Sequence, residues 1–314
     1  MRLRPLALLS TVAVAGLLLT GCAGQPDAAS TTPGADTKDQ CAAAAEPGAV
    51  SESVKIEGEF GTASTATFEL KQKIEKVQRT VVTEGDGERI GEGDYVSYAV
   101  SGFDATTGEK LGDAGYTEGQ MLPQNVLANP NLAELIGCAT VGSRLAVALP
   151  GDQQNSAQVY VVDVLDTVPT AAWGEAKPAT EGMPKVTTAE NGEPDVAIPN
   201  TDAPAELKIA VLKEGDGPAV ADGDTTLLQY YGVDWETGES FDSSWSKGEP
   251  LALPGNTYVP GFVQALAGQK AGSQVLVVIP PALAYGEDPE AHDLGGKTLV
   301  FVIDILATQH APAQ

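Results

Sequence analysis

Three kinds of hydrophobic run punctuate the chain. The first, Leu6 to Leu19, is uncharged and largely apolar; it follows a basic start, Met1-Arg-Leu-Arg4, and precedes the small-residue sequence Leu19-Thr-Gly-Cys22. The second kind is of strand length, β-branched and apolar, and bounded by Gly, Asp and Pro. Leu207 to Lys213, Thr225 to Val233, Val275 to Ile279 and Leu299 to Leu306 are its members, and they predict strands. The third is Gly261-Phe-Val-Gln-Ala-Leu266, where Phe262, Ala265 and Leu266 share one face and Gly268 supplies a stop, which predicts one short helix. Strands around a single short helix predict an α+β fold, an antiparallel sheet with the helix packed on its concave face.

The pattern occurs twice. A shift of 130 residues lays Glu84-Gly-Asp-Gly87 on Glu214-Gly-Asp-Gly217, Gly93-Asp94 on Gly223-Asp224 and Gly102 on Gly232. The same shift lays Thr107-Gly-Glu109 on Thr237-Gly-Glu239, Pro130 on Pro260, Gly142-Ser143 on Gly272-Ser273 and Pro150 on Pro280. Beyond Pro150 the register moves by 11, so that Val159-Tyr-Val-Val-Asp163 matches Val300-Phe-Val-Ile-Asp304. A repeat of this length marks two copies of one structural unit.

These observations divide the chain. Residues 1–21 read as an export signal, because an apolar run of about 14 residues falls short of the roughly 20 that a membrane span needs. Leu19-Thr-Gly-Cys22 resembles a bacterial lipobox, which implies lipidation of Cys22 and a chain held on the extracytoplasmic face of the cell membrane by its lipid alone; the alternative is a plain secretory signal with an incidental cysteine. Residues 22–46 are poor in large apolar side chains and predict a flexible tether. Residues 47–167 hold the first copy, 168–204 a Pro-rich acidic linker, 205–308 the second copy and 309–314 a tail. The net charge of −25 favours solubility and argues against nucleic acid or anionic lipid as partners. In an oxidising compartment Cys41 and Cys138 are expected to pair, the alternative being two isolated buried thiols.

The second copy resembles the FKBP family over nearly all of residues 206–308. The resemblance is carried by Gly215-Asp-Gly217, Tyr230-Tyr-Gly232, Thr237-Gly-Glu-Ser-Phe-Asp-Ser-Ser244, Val259-Pro-Gly-Phe262, Gly272-Ser273, Ala284-Tyr-Gly286 and Thr298-Leu-Val-Phe301. It implies a peptidyl-prolyl cis-trans isomerase with a pocket between helix and sheet. Its walls would be Tyr230, Phe241, Leu251, Tyr258, Val259 and Phe301, its floor Phe262, and its rim groups Asp242 and Tyr285, with Tyr230, Asp242 and Tyr285 as the catalytic set. The implied partners are proline-containing exported polypeptides, and macrolides such as tacrolimus or rapamycin. No cofactor or metal is expected. The sequence departs from the family pattern at the floor, Phe262 in place of a common Trp, at Leu251 in place of a usual Phe, and in the flap. There Asp293-Leu-Gly-Gly-Lys297 replaces an Ile-Pro-Pro sequence.

An aromatic and nearly charge-free pocket suits the reaction, since a twisted imide is less polar than a planar one and needs no nucleophile. The first copy has lost that equipment: Tyr230 becomes Val100, Phe241 becomes Leu111, Asp242 becomes Gly112, Phe262 becomes Leu132 and Phe301 becomes Tyr160. Gly151 to Gln158 is too short for a flap that would carry a counterpart of Tyr285. Residues 47–167 are therefore expected to keep the sheet without the catalysis. The competing reading of the whole chain is a non-catalytic proline-peptide binding module or chaperone scaffold at the cell surface.

Overall fold

Alternation of side chains along each strand sorts the apolar residues of both copies onto two faces, and the fold follows from covering both. The computed structural model describes residues 40–311 apart from 92, 127, 128, 154 and 256. The export signal, Cys22 and most of the expected tether lie outside the described residues.

The first copy comprises α1 (Gln40–Ala43), α2 (Ala49–Ser53), β1 (Lys55–Glu57), β2 (Thr65–Thr67), β3 (Gln78–Thr83), β4 (Tyr95–Asp104), β5 (Lys110–Ala114), β6 (Gln124–Asn125), α3 (Pro130–Ile136), β7 (Arg144–Leu149) and β8 (Gln158–Val168). Three short strands come next, β9 (Glu175–Ala176), β10 (Lys185–Thr188) and β11 (Pro194–Ala197). The second copy comprises β12 (Lys208–Glu214), β13 (Thr225–Asp234), β14 (Ser240–Ser243), β15 (Leu251–Pro254), α4 (Pro260–Leu266), β16 (Gln274–Ile279) and β17 (Leu299–Gln309).

Both copies are antiparallel sheets of the same order, β3-β7-β8-β4-β5 and β12-β16-β17-β13-β14, with β6 on β4 matching β15 on β13. Even their irregularities correspond. Bulges fall between Val81 and Thr83, Ser97 and Tyr98, and Gly102 and Phe103 in the first sheet. In the second they fall between Val211 and Lys213, Leu227 and Leu228, and Gly232 and Val233, each 130 residues on. A bulge bends its strand and resets the pairing register of the residues beyond it, so the two backbones share one curvature. The α+β arrangement expected from the strand and helix pattern is present in both.

On the concave face of the second sheet, Val275, Val277, Ile279, Leu299, Phe301, Ile303 and Ile305 pack with Phe262, Ala265 and Leu266 of α4. Their strand neighbours Leu276, Val278, Val300 and Val302 face the other way, and together with Val233 and Trp235 they form a second cluster. Residues 168–204, expected to be an extended linker, cover that outer face. β10 and β11 pair as a hairpin, which places Val196 in the cluster and Met183, Val186, Ile198 and Ala203 against it. A Pro-rich acidic composition conceals a few apolar side chains at strand spacing, and those dock the segment as a strap. The first copy has its own strap: α2, the β1–β2 hairpin and the segment after it cover Ala146, Ala148 and Val159, with Val50, Val54 and Ile74 buried and Ile56 and Ala66 packed against them.

A buried carboxylate fastens each strap. Asp163 accepts from the Gly61 N–H at 2.9 Å and binds the Arg144 guanidinium at 2.6 and 2.7 Å. Its counterpart Asp304 accepts from the Ala172 N–H at 2.8 Å and from the Gln274 amide at 2.7 Å.

The expected tether is also shorter than its composition suggests, because residues 40–46 are folded onto the first copy. Cys41 is disulfide-bonded to Cys138, 97 residues away, with a Cα–Cα distance of 4.7 Å; the Ala45 N–H donates to the Glu134 carbonyl. A covalent loop of that length stabilises by about 4–5 kcal/mol in the chain-entropy account. Cys138 has φ 61°, a left-handed conformation in which the second copy has Gly268 at φ 73°. The tail is likewise engaged: β17 runs to Gln309, and the His310 N–H donates to the Gly119 carbonyl of the first copy at 2.7 Å. Tyr95, Leu122, Leu227 and Leu306 join the copies through a small apolar cluster.

Candidate functional site

The inward residues of β13 and β17 meet α4 at the most aromatic part of the molecule. Pro260 starts the helix, where its missing N–H is no loss, and Phe262 lies in its first turn, fully buried. Around it stand Tyr258 at 4.7 Å between ring centroids, Phe301 at 5.2 Å and Tyr230 at 6.4 Å. Phe241 meets Phe301 edge-on at 5.4 Å. Planes near 90° set ring edges against ring faces, the arrangement that the aromatic quadrupole favours. Gly232 makes the convergence possible. A Cβ there would lie 2.8 Å from the Phe241 ring and 2.9 Å from that of Phe301.

A polar group closes one side of this cluster. The Tyr230 hydroxyl donates to Asp242 Oδ2 at 2.5 Å, while Lys247 Nζ donates to Asp242 Oδ1 at 2.7 Å and to the Tyr230 hydroxyl at 3.0 Å. Lys247 ends a 3-10 turn, Trp245–Lys247, which Gly248 at φ 82° reverses. Burial, and then the bond to Asp242, push the Tyr230 hydroxyl up to about 12. Burial alone would raise Asp242 also, but hydrogen bonds from Lys247 and Tyr230 hold it below its ordinary value. Burial and the neighbouring Tyr230 raise Tyr258 strongly. These phenols stay neutral across physiological pH, and Tyr230 is a fixed donor rather than a base.

Tyr230, Phe241, Tyr258, Val259, Phe262 and Phe301, all expected in the pocket, are brought into one cluster, with Asp242 bonded to it. Two others stand apart. Leu251 is 38% exposed, and it is Leu253, two residues along the same face of β15, that is buried in the cluster. Tyr285 is also 38% exposed; it follows a 3-10 turn at Pro281–Leu283, and its ring is stacked on His292. The flap from Pro280 to Lys297 is held by Gly286 N–H on the Pro281 carbonyl, by Gly296 N–H on the Gly286 carbonyl and by an ion pair between Lys297 and Asp234. Sequence reasoning missed Lys247, whose signal is a single basic residue on the tight turn five positions after Asp242, and the role of Gly232.

The first copy differs at the ring and rim positions. The buried members of its concave cluster are aliphatic, with Leu132 in the place of Phe262 and Val100, packed against them, in the place of Tyr230. Leu111 is 53% exposed. The Tyr160 hydroxyl donates to Gln158 at 2.7 Å. Gly102 still accommodates a ring, Tyr160. A cavity of about 660 Å³ lies at the junction of the copies, between Gly119 and His310, away from the aromatic cluster.

An aromatic surface bordered by neutral phenols and one ion-paired carboxylate suits a neutral ring carried on a polypeptide. Comparison with known proteins gives this surface a context. The family described as FKBP-type peptidyl-prolyl cis-trans isomerase matches residues 217–306. A probable FK506-binding protein of Corynebacterium glutamicum is 38% identical over 115 residues, which are 37% of this chain and 98% of that protein. An FK506-binding protein of Streptomyces anulatus is 39% identical over 119 residues, 37% of this chain and 96% of that one. The crystal structure of FkpA from Escherichia coli is similar at 32% identity over 40% of this chain and 53% of that chain, with a TM-score of 0.31.

Proposed function

The chain belongs to the FKBP-type peptidyl-prolyl cis-trans isomerase family, and from that premise we propose that its second copy isomerises X–Pro bonds in exported polypeptides at the outer face of the cell membrane. The observation that carries this reading is the Phe262 floor, fully buried and ringed by Tyr230, Tyr258 and Phe301. Rotation about an amide is opposed by about 18–20 kcal/mol of conjugation, and X–Pro is the bond whose isomers lie close in energy. The twisted imide has lost conjugation and charge separation. A site that offers rings instead of water therefore favours it over the planar ground state.

In this reading the proline ring rests on Phe262, and the Tyr285 hydroxyl donates to the carbonyl of the residue before proline. Lys247 and Asp242 lock Tyr230 so that its ring stays a wall. No covalent intermediate is formed. The FK506-binding names of the two relatives support macrolides such as tacrolimus as ligands of the same surface. The first copy serves as a spacer or docking module. Anchoring through a lipid on Cys22 is supported by Leu19-Thr-Gly-Cys22, and an oxidising location is supported by the Cys41–Cys138 pair.

A protease-coupled isomerisation assay on the mature chain tests the proposal. Asp242→Val and Tyr285→Phe are each expected to lower kcat/KM by about tenfold, equivalent to 1.36 kcal/mol of transition-state stabilisation. A proline-peptide binder without catalysis would leave the slow cis phase of the wild type unchanged.

A further inference from the structure

Tyr285 protrudes on the flap, and the ring contact that supports it is a parallel stack. The His292 imidazole lies 4.0 Å from it between centroids, with the planes 7° apart. The imidazole is itself held. Its Nδ1 accepts a hydrogen bond from the Leu294 N–H at 3.0 Å, and the His292 carbonyl accepts from the Gly295 N–H at 2.7 Å. Leu294 packs against the concave core, which ties the loop beside His292 to the body of the domain.

We infer that His292 is the positioning residue for Tyr285 in X–Pro isomerisation, and that the neutral imidazole alone performs this role. A neutral imidazole has one N–H and one lone pair; with Nδ1 accepting, the proton sits on Nε2. Protonation would place a second N–H on Nδ1, directed at the Leu294 N–H, and turn a hydrogen bond into a contact between donors. The imidazole would leave its place and Tyr285 would lose the surface it is stacked on. An imidazole that gains a proton therefore gives up this position, and isomerisation should weaken in acid. The ring facing His292 is Tyr285, and the carboxylates of its own loop, Glu287, Asp288, Glu290 and Asp293, are exposed. They remain in every His292 variant, so their titration cancels in the comparison.

The inference rests on the reading of Tyr285 as a rim group, and the test separates the two. On the mature chain, kcat/KM is measured between about pH 8 and 5 for the wild type, His292→Ala, His292→Phe, Tyr285→Phe and the double variant Tyr285→Phe/His292→Ala. At the alkaline end His292→Ala should lose about two- to tenfold, the range of an aromatic pair, and His292→Phe, which restores a ring, should recover part of it. The decline in acid should be present in the wild type and absent from His292→Phe. Its midpoint should coincide with the His292 ring titration followed by NMR, readily assigned in a chain with two histidines. In the Tyr285→Phe background His292→Ala should still act, because the stack persists there, but with a smaller effect than in the wild type. Equal effects in both backgrounds, or an acid decline that survives in His292→Phe, would overturn the role of His292 while leaving Tyr285 in place. A Tyr285→Phe variant as active as the wild type would overturn the rim reading and this inference with it.

Discussion

Removing the strap should destabilise the isomerase domain without altering its site. The perturbation is a chain beginning at residue 205, compared with one beginning at residue 169. The strap covers six large side chains of the sheet, Val233, Trp235, Leu276, Val278, Val300 and Val302. Full exposure of such a side chain costs at least about 1.5 kcal/mol. Taking half of that for a face uncovered on one side only gives a loss of about 4–5 kcal/mol, a large part of the 5–15 kcal/mol typical of a folded domain. The aromatic cluster lies on the opposite face of the sheet, so KM for a proline peptide should be unchanged at low temperature. Urea unfolding followed by far-UV circular dichroism measures the difference, since the backbone signal is common to both chains. Coincident unfolding curves for the two chains would refute the strap's part in stability.

Three further outcomes are expected. Gly232→Ala should cost about 1–3 kcal/mol through overpacking and lower kcat/KM as well, because the new methyl displaces Phe241 and Phe301, both pocket rings; calorimetry and the isomerisation assay on one preparation would show both effects. Burial holds the Asp304 carboxyl above its ordinary pKa, so the folded chain keeps that proton to higher pH than the unfolded one. The stability this group contributes is complete in acid and is lost as pH rises through the elevated value. Asp304→Asn should therefore gain stability relative to the wild type as pH rises above the ordinary Asp value of about 4, and a difference that does not vary with pH would contradict this. Cys22→Ser should move the protein from the membrane pellet to the medium, as checked by fractionation and immunoblotting.

The repeat, the sheet and the aromatic set were legible because each is written in short motifs at fixed spacing. Tyr230, Phe241, Phe262 and Phe301 converge since strand alternation and one helical turn suffice to aim them. On β15 the alternation points equally to either member of a pair: Leu251 and Leu253 differ by a full period and share a face, and only the depth of the strand in the sheet decides which is buried. The strap was hidden by composition. Val186, Val196 and Ile198 are single apolar residues among Pro, Glu and Thr, and most of their partners, from Val233 to Val302, lie 35 or more residues ahead, beyond any local pattern. Lys247 and His292 gave no sign either, because an ion pair to a phenol and a ring stack are properties of the turned loops that carry them.

The order of strap and sheet along the chain bears on how the protein survives its own synthesis. Gln274-Val-Leu-Val-Val-Ile279 and Leu299-Val-Phe-Val-Ile303 are uncharged and β-prone, the composition that drives strand-to-strand aggregation when exposed. They are the last two strands of the second copy in chain order. The hairpin that shields their outer side, β10–β11, is made before them, and so are the α4 helix that meets their inner side and β13, which pairs with the edge of β17. When the hazardous strands appear, a cover for each face is already waiting on the same molecule, and capture by a neighbouring chain must compete with a cover that is tethered in place.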